Sequence, residues 1–195
     1  MQTNNPQQPI GKPSDYLGTV IRHQGAFSPQ ECDAIIQHAL ATPSQEGLLA
    51  GKNPQFYGHR KSLVRFIDYE PALDWLFVKL RNLAQYANQF YRFDCHDIGE
   101  RLQLAEYCVG DQFDWHIDLN VGGNSVRKIS ISVQLSDSAD YEGGDLEFFR
   151  QPVMPNDRSR GLIFFFPSYA PHRVAPVTRG KRLSLVAWVH GPSFR

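Results

Sequence analysis

Lys128-Ile129-Ser130-Ile131-Ser132-Val133-Gln134-Leu135 alternates between aliphatic and polar side chains. A period of two is the mark of a strand, because successive side chains leave opposite faces of the pleat. One face of this strand is wholly aliphatic, while the other carries Ser130, Ser132 and Gln134. That polar face has two readings, a solvent-facing sheet surface or the lining of a polar pocket inside a barrel. Short β-type runs recur at 101–109, 113–119, 144–149, 161–166, 171–177 and 182–190, separated by clusters of Gly, Pro, Asn or Asp. Many short strands punctuated in this way indicate an antiparallel sandwich or barrel, here of jelly-roll type.

Upstream of Ile98 the period lengthens to 3.6. In Ser28-Pro29-Gln30-Glu31 a capping hydroxyl, a proline at the first helical position and a glutamate three residues after the cap predict a helix from Pro29 to about Leu40. Leu73, Leu76, Phe77, Leu80, Leu83 and Ala84 stand at three- and four-residue spacing and predict a second helix from Pro71 to about Tyr91. Short strands are expected at 17–23 and 62–68. Helices first and strands afterwards make the fold class α+β, a jelly-roll core over about 98–190 buttressed by helical support over about 28–91. Residues 1–14, rich in Gln, Asn and Pro, read as a flexible tail, and 15–195 as a single domain. Residues 41–60 show no period and form a lid candidate.

With 195 residues, 42% of them hydrophobic, the chain can bury a core, which excludes disorder throughout. Twenty Lys plus Arg balance 20 Asp plus Glu, so no net field favours nucleic acid or an anionic membrane. No apolar run has the length of a signal peptide or a membrane span, and a cytoplasmic location is expected. Three cysteines, Cys32, Cys95 and Cys108, cannot all pair with one another and read as reduced thiols.

Within Phe113-Asp114-Trp115-His116-Ile117-Asp118, strand alternation places His116 and Asp118 on one face and Trp115 and Ile117 on the other. An isolated His-x-Asp triplet is common by chance. His172, in Tyr169-Ala170-Pro171-His172-Arg173-Val174, supplies a third donor, and two imidazoles with one carboxylate are the ligand set of non-haem Fe(II) oxygenases. In the final run Arg182, Ser184 and Trp188 share a face opposite Leu183 and Leu185, so Arg182 points where a core residue should. A buried guanidinium needs an anion, and its planar fork suits a carboxylate held bidentately; the alternative is an internal Asp or Glu partner. A hairpin turning at residues 178–181 would set Arg182 one strand across from His172.

These residues resemble the 2-oxoglutarate- and Fe(II)-dependent dioxygenases, specifically the prolyl 4-hydroxylase-like branch. Four ordered segments carry the resemblance: LQLAEYCVGDQFDWHID, RKISISVQLSDSADYEGGDLEFF, GLIFFFPSYAPHRVAPVTRGKRLSLVAW and, more weakly, HRKSLVRFID upstream. The resemblance implies a double-stranded β-helix with His116, Asp118 and His172 as iron ligands and Arg182 with Ser184 clamping the distal carboxylate of 2-oxoglutarate. It also implies that Tyr107 lines the oxo-acid pocket and that Trp188 backs the iron site. Gln134 stands where related enzymes often place a tyrosine that touches the co-substrate, and it can still donate there. Fe(II) and 2-oxoglutarate are the cofactors implied, with ascorbate a candidate addition. The implied reaction hydroxylates an unactivated C–H bond with release of succinate and CO2, on a prolyl residue of a peptide or protein. Alternatives are another amino-acid side chain or free proline, a nucleobase demethylase, and a jelly-roll metal-binding module without turnover.

Overall fold

A computed structural model describes residues 19–47, 60–119 and 123–194. The tail 1–14 and the start of the strand expected at 17–23 lie outside the described residues, as do 48–59 of the lid candidate and 120–122.

Helix α1 (Pro29–Leu40) begins where its local signals place it. The Ser28 Oγ accepts from the Glu31 N–H at 3.2 Å and the Glu31 carboxylate accepts from the Ser28 N–H at 2.7 Å. Two orphan donors of the first turn are thereby satisfied. Ser28→Ala is expected to cost about 1 kcal/mol, read as a lower denaturant midpoint with unchanged slope. A 3-10 turn, Pro71–Leu73, leads into α2 (Asp74–Tyr91), whose stripe Leu76, Phe77, Leu80 and Ala84 is buried. Helix α2 stops at Arg92, which takes a left-handed conformation with φ 56°.

The strands in chain order are β1 (Ile21–His23), β2 (Gln45–Glu46), β3 (Arg60–Lys61), β4 (Leu63–Ile67), β5 (Leu102–Tyr107), β6 (Gln112–His116), β7 (Arg127–Gln134), β8 (Tyr141–Gly143), β9 (Leu146–Phe148), β10 (Ile163–Pro167), β11 (His172–Val174), β12 (Val177–Gly180) and β13 (Arg182–His190). They form an antiparallel seven-stranded sheet in the order β1-β10-β7-β13-β5-β4-β2, a four-stranded sheet β3-β6-β11-β9 and a β12-β8 pair. This is the jelly-roll arrangement of two facing sheets with helices outside one of them.

Two apolar clusters follow from this layering. On the helix side, Ile129, Ile131, Val133, Leu185, Ala187 and Leu104 of the large sheet meet Ile35, Leu76, Leu80 and Ala84 of the helices. Between the sheets, Ala105, Tyr107, Phe164 and Phe166 of the large sheet meet Leu146, Phe148 and Val174 of the small one. Every residue of β7 is buried, so the polar face of Ser130, Ser132 and Gln134 lines the space between the sheets and does not meet solvent.

Two expectations need correction. Strand β6 ends at His116, short of the run to 119. Residues beyond it leave the ladder because the N–H groups of Asp118 and Leu119 both donate to the Ser168 carbonyl at 2.9 Å. His172 and Arg182 are not joined by a hairpin either. Ala175-Pro176 follows β11, and β12 pairs with β8, so the two residues lie on facing sheets.

Candidate metal centre

His116 closes β6 and His172 opens β11, and the two are direct cross-strand partners. Their ring centroids lie 4.2 Å apart. The His116 Nδ1–H donates to the Asp114 carbonyl at 2.7 Å, and the His172 Nδ1–H donates to the Ala170 carbonyl at 3.0 Å. A carbonyl can only accept, so each bond fixes the proton on Nδ1 and leaves Nε2 as a lone pair. These Nε2 atoms stand 3.8 and 3.7 Å from the two carboxylate oxygens of Asp118. His116, Asp118 and His172 each offer a ligand atom within 4.8 Å of the others, and no other such group occurs among the described residues.

Groups around these three hold them in place. The Ser130 Oγ donates to Asp118 Oδ2 at 2.6 Å and lies 3.0 Å from the Ser168 Oγ. Phe113 stacks on the His116 ring at 3.5 Å, and Phe166 meets the His172 ring edge-on at 4.6 Å. Burial, followed by the neighbouring His172, pulls the pKa of His116 from 6.5 down to about 3. Burial works against the Asp118 charge, but the His172 and His116 imidazoles and the Ser130 hydroxyl outweigh it and hold that pKa below the usual range. A divalent cation binds an imidazole through an unprotonated nitrogen and a carboxylate in its ionised form. The donor set fits Fe(II).

Two measurable consequences arise here. Ser130→Ala removes the hydroxyl that orients Asp118, and Mn(II) affinity is expected to fall about 10-fold in a calorimetric titration. The folded-state pKa of His116 lies below its unfolded value, so the unfolded chain binds more protons between the two. Metal-free stability should therefore decline as the pH falls from 6.5 towards about 3, and His116→Gln should flatten the slope of denaturant midpoint against pH.

Arg182 is 1% exposed and faces the space between the sheets. Its Nη2 donates to the Gln134 Oε1 at 2.9 Å and its Nη1 to the Ser184 Oγ at 3.3 Å. The Tyr141 phenol also lies against it, the Nε–H finds no partner, and the partners of this guanidinium among the described residues are neutral. The internal Asp or Glu partner is therefore absent there. Tyr107 is its cross-strand neighbour, with the ring centroid 5.6 Å from the guanidinium carbon. Gly144, at φ +63°, makes room for it, since a Cβ there would stand 3.1 Å from Arg182 Cδ.

Trp188 is buried opposite Ser130 on β7, beneath the Arg127 guanidinium at 3.7 Å, and its indole N–H has no partner among the described residues. Arg127 in turn grips the Glu100 carboxylate at 2.6 and 2.5 Å and reaches the Asp118 carbonyl at 3.3 Å. Sequence reasoning missed Arg127, Ser168 and the role of Ser130. The polar face of β7 was the available signal for Ser130; Ser168 contributes its hydroxyl to Ser130 and its carbonyl to the turn at Asp118, and the carbonyl leaves no signal in residue identity.

Residues 102–190 match the model of the 2OG-Fe(II) oxygenase superfamily. The matched segment runs from β5 to the end of β13 and contains all three members of the cluster and Arg182. A PKHD-type hydroxylase of Synechococcus sp. (strain CC9902) is 38% identical over 84 residues, 42% of this chain and 37% of that protein. Another, from Idiomarina loihiensis, is 32% identical over 103 residues, 49% of this chain and 46% of its own length. The matched region spans less than half of either relative. Among solved structures, a Pseudomonas putida prolyl-4-hydroxylase shares the fold with a TM-score of 0.69 at 21% identity, over 92% of this chain and 97% of that one. The viral collagen prolyl hydroxylase of Paramecium Bursaria Chlorella virus-1, in a 2OG complex, gives 0.64 at 18% identity, over 89% and 96%.

Proposed function

We propose that this chain is an Fe(II)- and 2-oxoglutarate-dependent hydroxylase acting on a prolyl residue of a peptide or protein. The carrying observation is Arg182, a buried guanidinium without a counter-anion among the described residues, in the same inter-sheet space that His116 and His172 enter. A fixed cation there calls for an anionic ligand, and the oxygenase segment names a dicarboxylate. With dioxygen as the oxidant, Fe(II) and 2-oxoglutarate bound here would couple oxidative decarboxylation of the oxo acid to succinate and CO2 with hydroxylation of a C–H bond, one oxygen atom going to succinate and one to the product.

The chain's own residues bind and orient. His116, Asp118 and His172 would hold the metal through Nε2, a carboxylate oxygen and Nε2, each imidazole keeping its Nδ1–H, which donates to a backbone carbonyl. Ser130 keeps the carboxylate ionised and aimed. Arg182, with Ser184 behind it, holds the distal carboxylate, Tyr107 lines the pocket wall, and Trp188 closes the side next to Ser130. Phe113 and Phe166 shield the two imidazoles and help keep water from the site. No side chain is asked to act as a general base.

A peptide substrate is supported by the prolyl hydroxylases that share the fold. The reading takes 15–195 as one domain in the cytoplasm, in keeping with three free thiols. No helix among the described residues is long and apolar enough to cross a membrane. Incubation with Fe(II), 2-oxoglutarate and a proline-containing peptide library should give peptides heavier by one oxygen and an equal yield of succinate. Succinate formation without any oxidised peptide would overturn the prolyl substrate, and its absence would overturn the oxygenase reading.

A further inference from the structure

Gln134 occupies the position where a residue touching the co-substrate is expected, yet its amide is already engaged at both ends. Its Nε2 donates to the Asp157 carbonyl at 2.9 Å, and its Oε1 accepts from Arg182 Nη2 at 2.9 Å. The orientation is forced: a backbone carbonyl can only accept and a guanidinium can only donate, so both neighbours select the same placement of nitrogen and oxygen. Asp157 itself is locked. Its carboxylate takes two bonds from Arg22, at 2.7 and 3.1 Å, and one from the Met154 N–H at 2.9 Å. A chain of contacts therefore runs from β1 through the 149–162 connection to Gln134 at the end of β7 and on to the guanidinium.

We propose that Gln134 is a positioning residue, which orients Arg182 for the co-substrate and takes no direct hold of it. The inference rests on the reading of Arg182 as the carboxylate clamp. Two features give it content. First, Gln134 is neutral, so it steers the guanidinium without neutralising it, and the full charge stays available to an incoming carboxylate. Second, Gln134 takes one N–H of Nη2, Ser184 one of Nη1, and the Tyr141 phenol also lies against the guanidinium, while Nε–H is unpartnered, so of the five N–H donors some are fixed by neutral protein groups and the rest can meet a ligand. A carboxylate at position 134 would do the opposite. It would pair with Arg182 and compete with the ligand for the same cation.

The test measures 2-oxoglutarate binding by calorimetry on the Mn(II)-loaded protein, alongside Mn(II) affinity. Gln134→Met should weaken 2-oxoglutarate binding about 10-fold through loss of orientation, and Gln134→Glu more, about 100-fold, through competition. Both should keep wild-type Mn(II) affinity, which a general structural defect would not spare; Gln134→Asn is the substitute if either fails to fold. A double variant separates positioning from contact. If Gln134 acts through Arg182, Gln134→Met adds no further loss to Arg182→Met, whereas a direct contact gives additive losses and overturns the proposal. Wild-type binding by Gln134→Glu, with Arg182→Met impaired, also overturns it and leaves the clamp standing. Wild-type binding by Arg182→Met sinks the clamp reading itself.

Discussion

Asp118→Ala is expected to abolish iron-dependent turnover and to lower Mn(II) affinity by more than about 100-fold, beyond the range seen when only an orienting group is lost. Asp118 is the one anion of the cluster, and without it a divalent cation meets two neutral imidazoles in a site walled by Phe113 and Phe166. Two nitrogen donors cannot offset the loss of cation hydration that entry into such a site demands. The metal-free fold should survive, because the backbone N–H of Asp118, bound to the Ser168 carbonyl, holds the turn whatever the side chain is. The check is a calorimetric titration with Mn(II) together with succinate release, on protein whose denaturation midpoint has been measured. Retained metal affinity would remove Asp118 from the ligand set, and an unfolded variant would mean that the carboxylate supports the turn.

How far the sequence discloses the molecule depends on how local the determining contacts are. Helix α1 could be read to the residue, Pro29–Leu40, because its start is fixed by bonds between Ser28 and Glu31 and needs nothing distant. Strands β5, β7 and β13 were legible because each is long enough to show its alternation, and β10 because its unbroken apolar run Ile163–Pro167 suits a strand buried on both faces. Strands β8 and β12 were not. Three residues running into Gly143-Gly144 carry no period, and their pairing is settled by a segment more than 30 positions away. The short strand β3 is similarly silent.

The candidate site divides along the same line. His116, His172 and Arg182 could be singled out because their chemistry is unusual for a strand. That Asp118 turns inward depends on one backbone carbonyl, Ser168, which leaves no trace in residue identity. The polar face of β7 was visible, but the choice between solvent and pocket needed the second sheet. Gln134 was legible as a polar residue in the right place. Its engagement on both sides depends on the backbone of Asp157, 23 positions on.

Arg182→Met is expected to weaken 2-oxoglutarate binding by about 100-fold, the equivalent of two charge-assisted hydrogen bonds at roughly 1.5 kcal/mol each. The unusual part of the prediction concerns the protein without ligand. Deleting atoms from a buried side chain ordinarily costs roughly 2–5 kcal/mol. Here the side chain is an ion held at 1% exposure among neutral groups, Gln134, Ser184 and the Tyr141 phenol, with its Nε–H unpartnered and no carboxylate beside it among the described residues. The desolvation of such an ion amounts to several kcal/mol, and an apolar side chain of similar length removes it. The ligand-free variant should therefore unfold at a denaturant midpoint equal to or above that of the wild type, while its calorimetric titration with 2-oxoglutarate collapses. A site that holds an unbalanced charge in readiness for its ligand is strained in the empty state and relieved in the filled one, so added 2-oxoglutarate should raise the midpoint of the wild type and leave that of the variant nearly still. A variant that loses stability and binding together would show instead that Arg182 is an ordinary structural element of the core.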